Sequence, residues 1–176
     1  MVELGIVKLR QDAIAPSKST AQAACFDVYA NFVGDSIKVY NTLNHVLDVR
    51  IKRDDGVSLL PGFRVLVPTG VSLLIPHGHC VKVYPRSGNA IKMGITLINN
   101  VGIIDSDYSG ELMVPIVNMT HTDVMIEQGM KIAQIMLVKL EDTDIVERTK
   151  EDLERHVRNS NRVRGTDGGF GSTGIK

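Results

Sequence analysis

The stretch 64–139 consists almost entirely of short apolar runs ended by turn residues, and this pattern restricts the fold more than any other feature of the chain. RVLVPTGVSLLIP (64–76) holds β-branched runs broken by Pro68, Gly70 and Pro76. HCVKVYP (79–85) alternates, with Val81 and Val83 on one face and Lys82 and Tyr84 on the other. ITLINNVGIID, ELMVPIVNM and MKIAQIMLVKL repeat the habit, and helical periodicity is scarce before Thr149. Many short strands punctuated by turns predict an all-β sandwich or barrel rather than βαβ units.

The length, 176 residues, suits one domain per chain. A 43% hydrophobic and 23% charged composition excludes wholesale disorder. Twenty basic and twenty acidic side chains cancel, so no general attraction to nucleic acid or an anionic membrane is expected. Any anion must be handled by a few placed groups. Only two cysteines, Cys25 and Cys80, fit a reducing compartment. MVELGIVKLRQD lacks the basic start and apolar run of a signal peptide, and no apolar stretch nears the ~20 residues that span a bilayer. A soluble, cytoplasmic protein is expected.

Two segments stand apart from the strands. In HVLDVRIKRDDGVSLL, Leu47, Val49 and Ile51 share a face, and Asp55-Gly56 offers a turn. It predicts a β-hairpin arm inserted around 45–60, a solvated excursion unless it meets a partner subunit. In TKEDLERHVRNSNR, Thr149 and Asp152 form a capping-box pattern, with Leu153 and Val157 on one face. The expected organisation is a barrel over 1–147, a short helical extension over 148–163 and a glycine-rich arm over 164–176.

Chemistry-bearing residues fall in five places. In YPRSGNAIKMG, Ser87 suits an N-cap, Asn89 to Met93 a helical turn, and Gly94 its stop. Arg86 adds a guanidinium fork suited to phosphate. In GIIDSDYSGELMV, Asp105 follows Ile103-Ile104 directly and is a candidate general base, whereas Asp107 and Ser109 read as a solvated turn. Asp105 and Asp107, two apart in an extended segment, face opposite ways and make poor joint metal ligands. Gln134 sits in an apolar strand and needs partners wherever it is buried. Asp27, between Phe26 and Val28, must be paired or solvated. His77-Gly78-His79-Cys80 has no second ligand cluster at metal-site spacing and is not read as a metal site.

Taken in order, FDV, PRSG, GIIDSDYSGE, GMKIAQ and RGTDGGFGSTG resemble the five motifs of the homotrimeric dUTP diphosphatase (dUTPase) family. The resemblance spans 25–174. It implies a jelly-roll β-barrel, assembled as a homotrimer whose active sites draw on all three chains. It implies hydrolysis of dUTP to dUMP and pyrophosphate, with Mg²⁺ carried on the triphosphate.

By the same resemblance, Asp105 orients the attacking water and contacts the deoxyribose. Asn99, Gly102 and Ile104 belong to a β-hairpin whose backbone reads uracil. Tyr108 packs under deoxyribose and leaves no room for a 2′-OH. Arg86, Ser87, Gly88 and Gln134 serve the phosphates. Asp27 supports the metal's water shell, with no side chain bound directly to the metal. In the arm, Arg164, Gly171, Ser172 and Thr173 reach the terminal phosphate region, and Phe170 stacks over uracil. The chain departs from the usual motifs in two places. Cys25-Phe26 stands where Gly-Tyr is usual, and one extra residue separates Arg-Gly from Gly-Gly-Phe-Gly in the last motif. Two other classes compete: a dCTP deaminase or bifunctional deaminase/dUTPase of the same superfamily, against which the intact uracil-hairpin, Asp105 and Tyr108 set argues, and a non-enzymatic partner binder acting through the 45–60 hairpin.

Overall fold

The computed structural model describes residues 2–52 and 56–159. Its strands are β1 (Gly5–Lys8), β2 (Phe26–Tyr29), β3 (Ser36–Tyr40), β4 (Val46–Arg50), β5 (Val57–Leu59), β6 (Arg64–Leu74), β7 (His79–Tyr84), β8 (Ile95–Leu97), β9 (Gly102–Ile104), β10 (Glu111–Asn118), β11 (Val124–Ile126) and β12 (Lys131–Lys139). Helix α1 (Ser87–Met93) lies between β7 and β8, and α2 (Lys150–Asn159) follows the strands.

The strands form two larger antiparallel sheets and a small one. One runs β4-β3-β6-β10-β8, with β1 also on β6; the second runs β2-β12-β7-β9; the third is β11-β5. Together they make an all-β architecture of the jelly-roll kind, in which two sheets share one core. The core is aliphatic. Val65, Val67 and Val71 of β6, Val114 and Ile116 of β10, Val81 and Val83 of β7, and Ile135 of β12 are all buried in one cluster. Alternation explains β7 as expected, with Val81 and Val83 inward and Lys82 and Tyr84 less buried.

Three local expectations change. First, β6 runs unbroken through Pro68 and Gly70. Pro68 cannot donate to a ladder, but the β10 register shifts there, between Glu111 and Met113. The Glu111 carboxylate replaces the missing ladder by accepting the Thr69 and Gly70 N–H groups at 3.0 and 2.6 Å. Second, the two limbs of the 45–60 segment pair outward with other strands. β4 pairs with β3 through Ile37↔Val49 and Val39↔Leu47, and β5 pairs with β11 through Val57↔Ile126. Among the described residues, the bridge Lys52↔Gly56 joins its two limbs. Val57 and Leu59 are fully buried and Val49 and Ile51 pack partly against the same core, whereas Val46 and Leu47 are exposed. Third, the strand-bearing unit ends at Glu141, six residues before the expected 147.

The following unit, from Asp142, contains α2. Its N-terminus is a reciprocal capping box: the Asp152 amide donates to Thr149 Oγ1 at 3.2 Å, and the Thr149 amide donates to Asp152 Oδ2 at 3.2 Å.

Candidate active site

The site begins where β7 ends. Pro85 stops that strand, and Arg86 is the N-cap of α1 with extended backbone. Ser87 is therefore the first helical residue rather than the cap, and no side chain caps this end. Gly94 terminates α1 in the left-handed region, φ 63°, as its position predicted.

Beside this turn lie β2 and β12, paired so that Gln134 faces Asp27. Asp27, Arg86, Ser87, Gly88 and Gln134 line one open cavity of about 450 Å³ with Ser19, Ala23, Ala24 and Cys25. The resemblance assigns Arg86, Ser87, Gly88 and Gln134 to the phosphates and Asp27 to the metal's water shell, and the fold brings the five together.

Asp27 is the hub. Its Oδ1 accepts Arg86 Nε at 3.0 Å, and its Oδ2 accepts Lys131 Nζ at 2.8 Å and the Ser19 hydroxyl at 2.6 Å. Burial alone would raise the carboxyl's pKa. The Lys131 and Ser19 hydrogen bonds and the charges of Arg86 and Lys131 outweigh it and hold Asp27 below its ordinary range. Arg86 Nη1 points to the Asn89 side-chain oxygen and the Lys131 carbonyl, both at 3.4 Å. Asn89, itself buried, donates to that same carbonyl at 2.9 Å. Gln134 donates its amide to the Pro85 carbonyl at 2.9 Å, which settles its need for a partner and holds the start of the turn.

Ser19, Asn89 and Lys131 are the functional surroundings that sequence reasoning missed. Lys131 sits inside the GMKIAQ segment, three positions before Gln134, where strict alternation puts it on the opposite face. A bulge between Lys131 and Ala133 changes that. Lys131 pairs with Tyr29 and Gln134 with Asp27, so both face the same side.

The other expected residues lie elsewhere. β9 pairs with β7, Val83 opposite Gly102 and Val81 opposite Ile104. Asp105 therefore falls beyond the far end of that ladder, whereas Arg86 follows its near end. Five to six residue steps separate them, roughly 15–20 Å along the strands. Asp105 is exposed in the chain rather than buried, and its carbonyl accepts the Tyr108 amide to close a turn. Tyr108 is likewise exposed, with its hydroxyl donating to the Glu111 carbonyl at 2.8 Å.

Asn99 lies in the exposed loop 98–101, which Asn100 turns with φ 60°. The strands that flank this loop pair elsewhere, β8 with β10 and β9 with β7. Ile95 and Leu97 are both buried, so β8 is held in the larger sheet by its own apolar side chains. Gly102 is also buried, and a Cβ there would lie 3.2 Å from Val83 Cβ. Arg164, Phe170, Gly171, Ser172 and Thr173 lie outside the described residues.

Among the described residues, no three His, Cys, Asp or Glu side chains gather in a way that could hold a metal ion. No helix among them is long and apolar enough to cross a membrane.

The dUTPase family model matches residues 36–174, most of the chain. This chain belongs to the dUTPase family. The deoxyuridine 5'-triphosphate nucleotidohydrolase of Hydrogenobaculum sp. (strain Y04AAS1) is 35% identical over 175 residues, covering 99% of this chain and 100% of that one. Among solved structures, the dUTPase of Streptococcus mutans is 27% identical with a TM-score of 0.60, covering 80% of this chain and 98% of that one. A Staphylococcus bacteriophage 80alpha dUTPase mutant, determined with dUpNHpp, covers 99% of this chain and all of its own at a TM-score of 0.69. At 20% identity that likeness speaks for the fold. Among the described residues, the dUTPase motifs fall in two places: the cavity at Arg86, and an exposed acidic turn at Asp105.

Proposed function

We propose that this dUTPase-family chain hydrolyses dUTP to dUMP and pyrophosphate, by attack of water on the α-phosphorus, in sites shared between the chains of a homotrimer. The observation that carries the reading is the cavity at Arg86, beside the first turn of α1, whose one lining carboxylate, Asp27, is paired with Arg86 in the lining and with Lys131 outside it. The separation of Arg86 from Asp105 supports the shared site: a triphosphate held at Arg86 would meet the acidic turn of a neighbouring chain. Exposed apolar side chains on the larger sheet, Leu66 and Leu74, are the kind of surface a subunit contact covers.

The roles follow from chemistry. Arg86 uses Nε on Asp27 and Nη1 toward Asn89 and Lys131, leaving Nη2 for phosphate oxygens. The N–H groups of Ser87 and Gly88, in the first turn of α1, have no helical acceptor and suit the same anion. Asp105 holds and deprotonates one water, aligned with the scissile bond. Tyr108 stands against the deoxyribose and rejects a 2′-OH. The loop around Asn99, with Gly102 and Ile104, offers backbone groups to uracil, so a cytosine would leave them unpaired. The arm residues Arg164, Phe170, Gly171, Ser172 and Thr173 close over the nucleotide and exclude water.

A Mg²⁺ ion carried on the triphosphate fits these donors. Mg²⁺ keeps waters and favours phosphate oxygens over an all-protein cage. Asp27 already accepts three donors, so its carboxylate has room for a metal-bound water rather than the ion. Bound there, Mg²⁺ would neutralise phosphate charge and polarise the phosphoryl group. The free thiols Cys25 and Cys80 suit the cytoplasm, where the product dUMP would serve nucleotide synthesis.

The test is pyrophosphate release from dUTP, dCTP and UTP, with Asp105→Asn alongside. Turnover of dUTP alone, lost in the variant, supports the reading. Ammonia released from dCTP would point to a deaminase instead, and a monomer in sedimentation would overturn the shared site.

A further inference from the structure

We propose that Lys131 is a positioning residue that sets the net charge of the phosphate cavity, resting on the phosphate-binding reading above. Asp27 and Arg86 form a one-to-one ion pair at 3.0 Å. Such a pair sums to zero, and a guanidinium fully compensated by its carboxylate attracts a polyanion weakly. Lys131 changes the sum. Its ammonium lies 2.8 Å from the other carboxylate oxygen and 2.8 Å from Ser19 Oγ. The three charged groups then total one positive charge, and Asp27 divides its attraction between two cations.

Lys131 is not itself among the residues that line the cavity. Its effect therefore passes through Asp27 and Ser19, which do line it. The bulge between Lys131 and Ala133 places the side chain on the Asp27 face. Bulges re-aim side chains in this way beside active sites. The same residue's carbonyl accepts Asn89 and faces Arg86 Nη1, so one position holds Asp27 by its side chain and the α1 turn by its backbone. Substituting the side chain leaves the second role in place, so charge can be separated from scaffolding.

The experiment uses the full chain, with Lys131→Gln removing the charge and Lys131→Arg keeping it. Calorimetry measures binding of inorganic tripolyphosphate, and dUTP kinetics supply KM and kcat. Lys131→Gln should weaken tripolyphosphate binding roughly five- to tenfold, the effect of one partly screened charge. It should raise KM by a similar factor and change kcat less. Lys131→Arg should restore most of both.

Wild-type affinity for tripolyphosphate in Lys131→Gln would overturn the proposal. So would equal losses in both variants tracking a common fall in melting temperature, since a structural strut fails that way. A wild-type protein that does not bind tripolyphosphate also overturns it. If wild type binds tripolyphosphate but leaves dUTP intact, the hydrolase reading fails, and the charge effect in Lys131→Gln still supports the role of Lys131.

Discussion

Gly110 lies against Tyr108 so closely that a Cβ on it would stand 2.6 Å from the tyrosine Oη and 2.8 Å from Cζ. Those distances are shorter than real Cβ contacts, so a side chain here must push aside the far end of the exposed ring. The Tyr108 hydroxyl is held on the Glu111 carbonyl at 2.8 Å, which fixes the ring across the turn. Gly110→Ala should displace the ring. Tyr108 is 44% exposed, so the barrel should lose less than about 1 kcal/mol. The enzyme should lose about tenfold or more in kcat/KM for dUTP, with a poorer ratio of dUTP to UTP turnover, because small misplacements at a substrate cost heavily. Competition kinetics with the two nucleotides measure the ratio; an unchanged ratio would show that Tyr108 does not set sugar specificity.

Asp27→Asn tests the hub of the cavity. The variant keeps the shape but leaves Arg86 and Lys131 facing each other with no anion between them. Folding stability should fall by about 1–3 kcal/mol, since the cations are only partly buried and water relieves part of the loss. Chemical denaturation checks the figure. Inorganic phosphate should restore part of the stability in the variant more than in wild type, because an anion can occupy the vacated charge position. Identical phosphate responses would count against a cavity built for anions.

The legible parts of this fold are those decided locally. Val81 and Val83 alternate with Lys82 and Tyr84 because β7 obeys a simple two-residue period. Gly94 was readable as a helix stop, and Thr149 with Asp152 as a cap, because both depend on neighbours within one turn. What the sequence concealed depends on distant partners. Leu47 and Val49 look like one limb of a hairpin, yet they pair with Val39 and Ile37, while Val57 finds Ile126. Lys131 was hidden by a single bulge that inverts its face. The motif residues Arg86 and Asp105 were both visible, but their position at opposite ends of the β7–β9 ladder follows only from the strand register.

Glu111 gives the barrel a pH dependence with a definite sign. Burial alone would raise its carboxyl; the hydrogen bonds and charge from Arg10 and the N–H groups of Gly70 and Thr69 outweigh it and lower the pKa below the ordinary 4.5. The folded state therefore holds the proton less tightly than the unfolded state. The stabilisation is fully present above 4.5 and is lost as pH falls from there through the folded value. Asp27 adds the same sign. Glu111→Gln should cost about 2–4 kcal/mol at neutral pH, where Arg10 loses its partner. The gap between variant and wild type should narrow steadily once pH drops below 4.5. Urea titrations across that range decide it: a constant gap would mean that Glu111 acts by packing alone.

The capping box of α2 supports the last prediction. Thr149 Oγ1 accepts the Asp152 amide, and Asp152 Oδ2 accepts the Thr149 amide, so two of the free donors at this helix start are satisfied by each other's side chains. The helix is short and its apolar Leu153 is 57% exposed, so packing contributes little and the cap carries a large share of its stability. Thr149→Ala should destabilise α2 by about 0.5–2 kcal/mol, while Thr149→Ser should be nearly neutral. Amide hydrogen exchange reads this directly: protection within Lys150–Asn159 should fall in the alanine variant and be kept in the serine variant. Protection in β6 and β10 should not change in either, because the capping hydrogen bonds join only Thr149 and Asp152. Loss of protection in those strands would mean that the two units fold together.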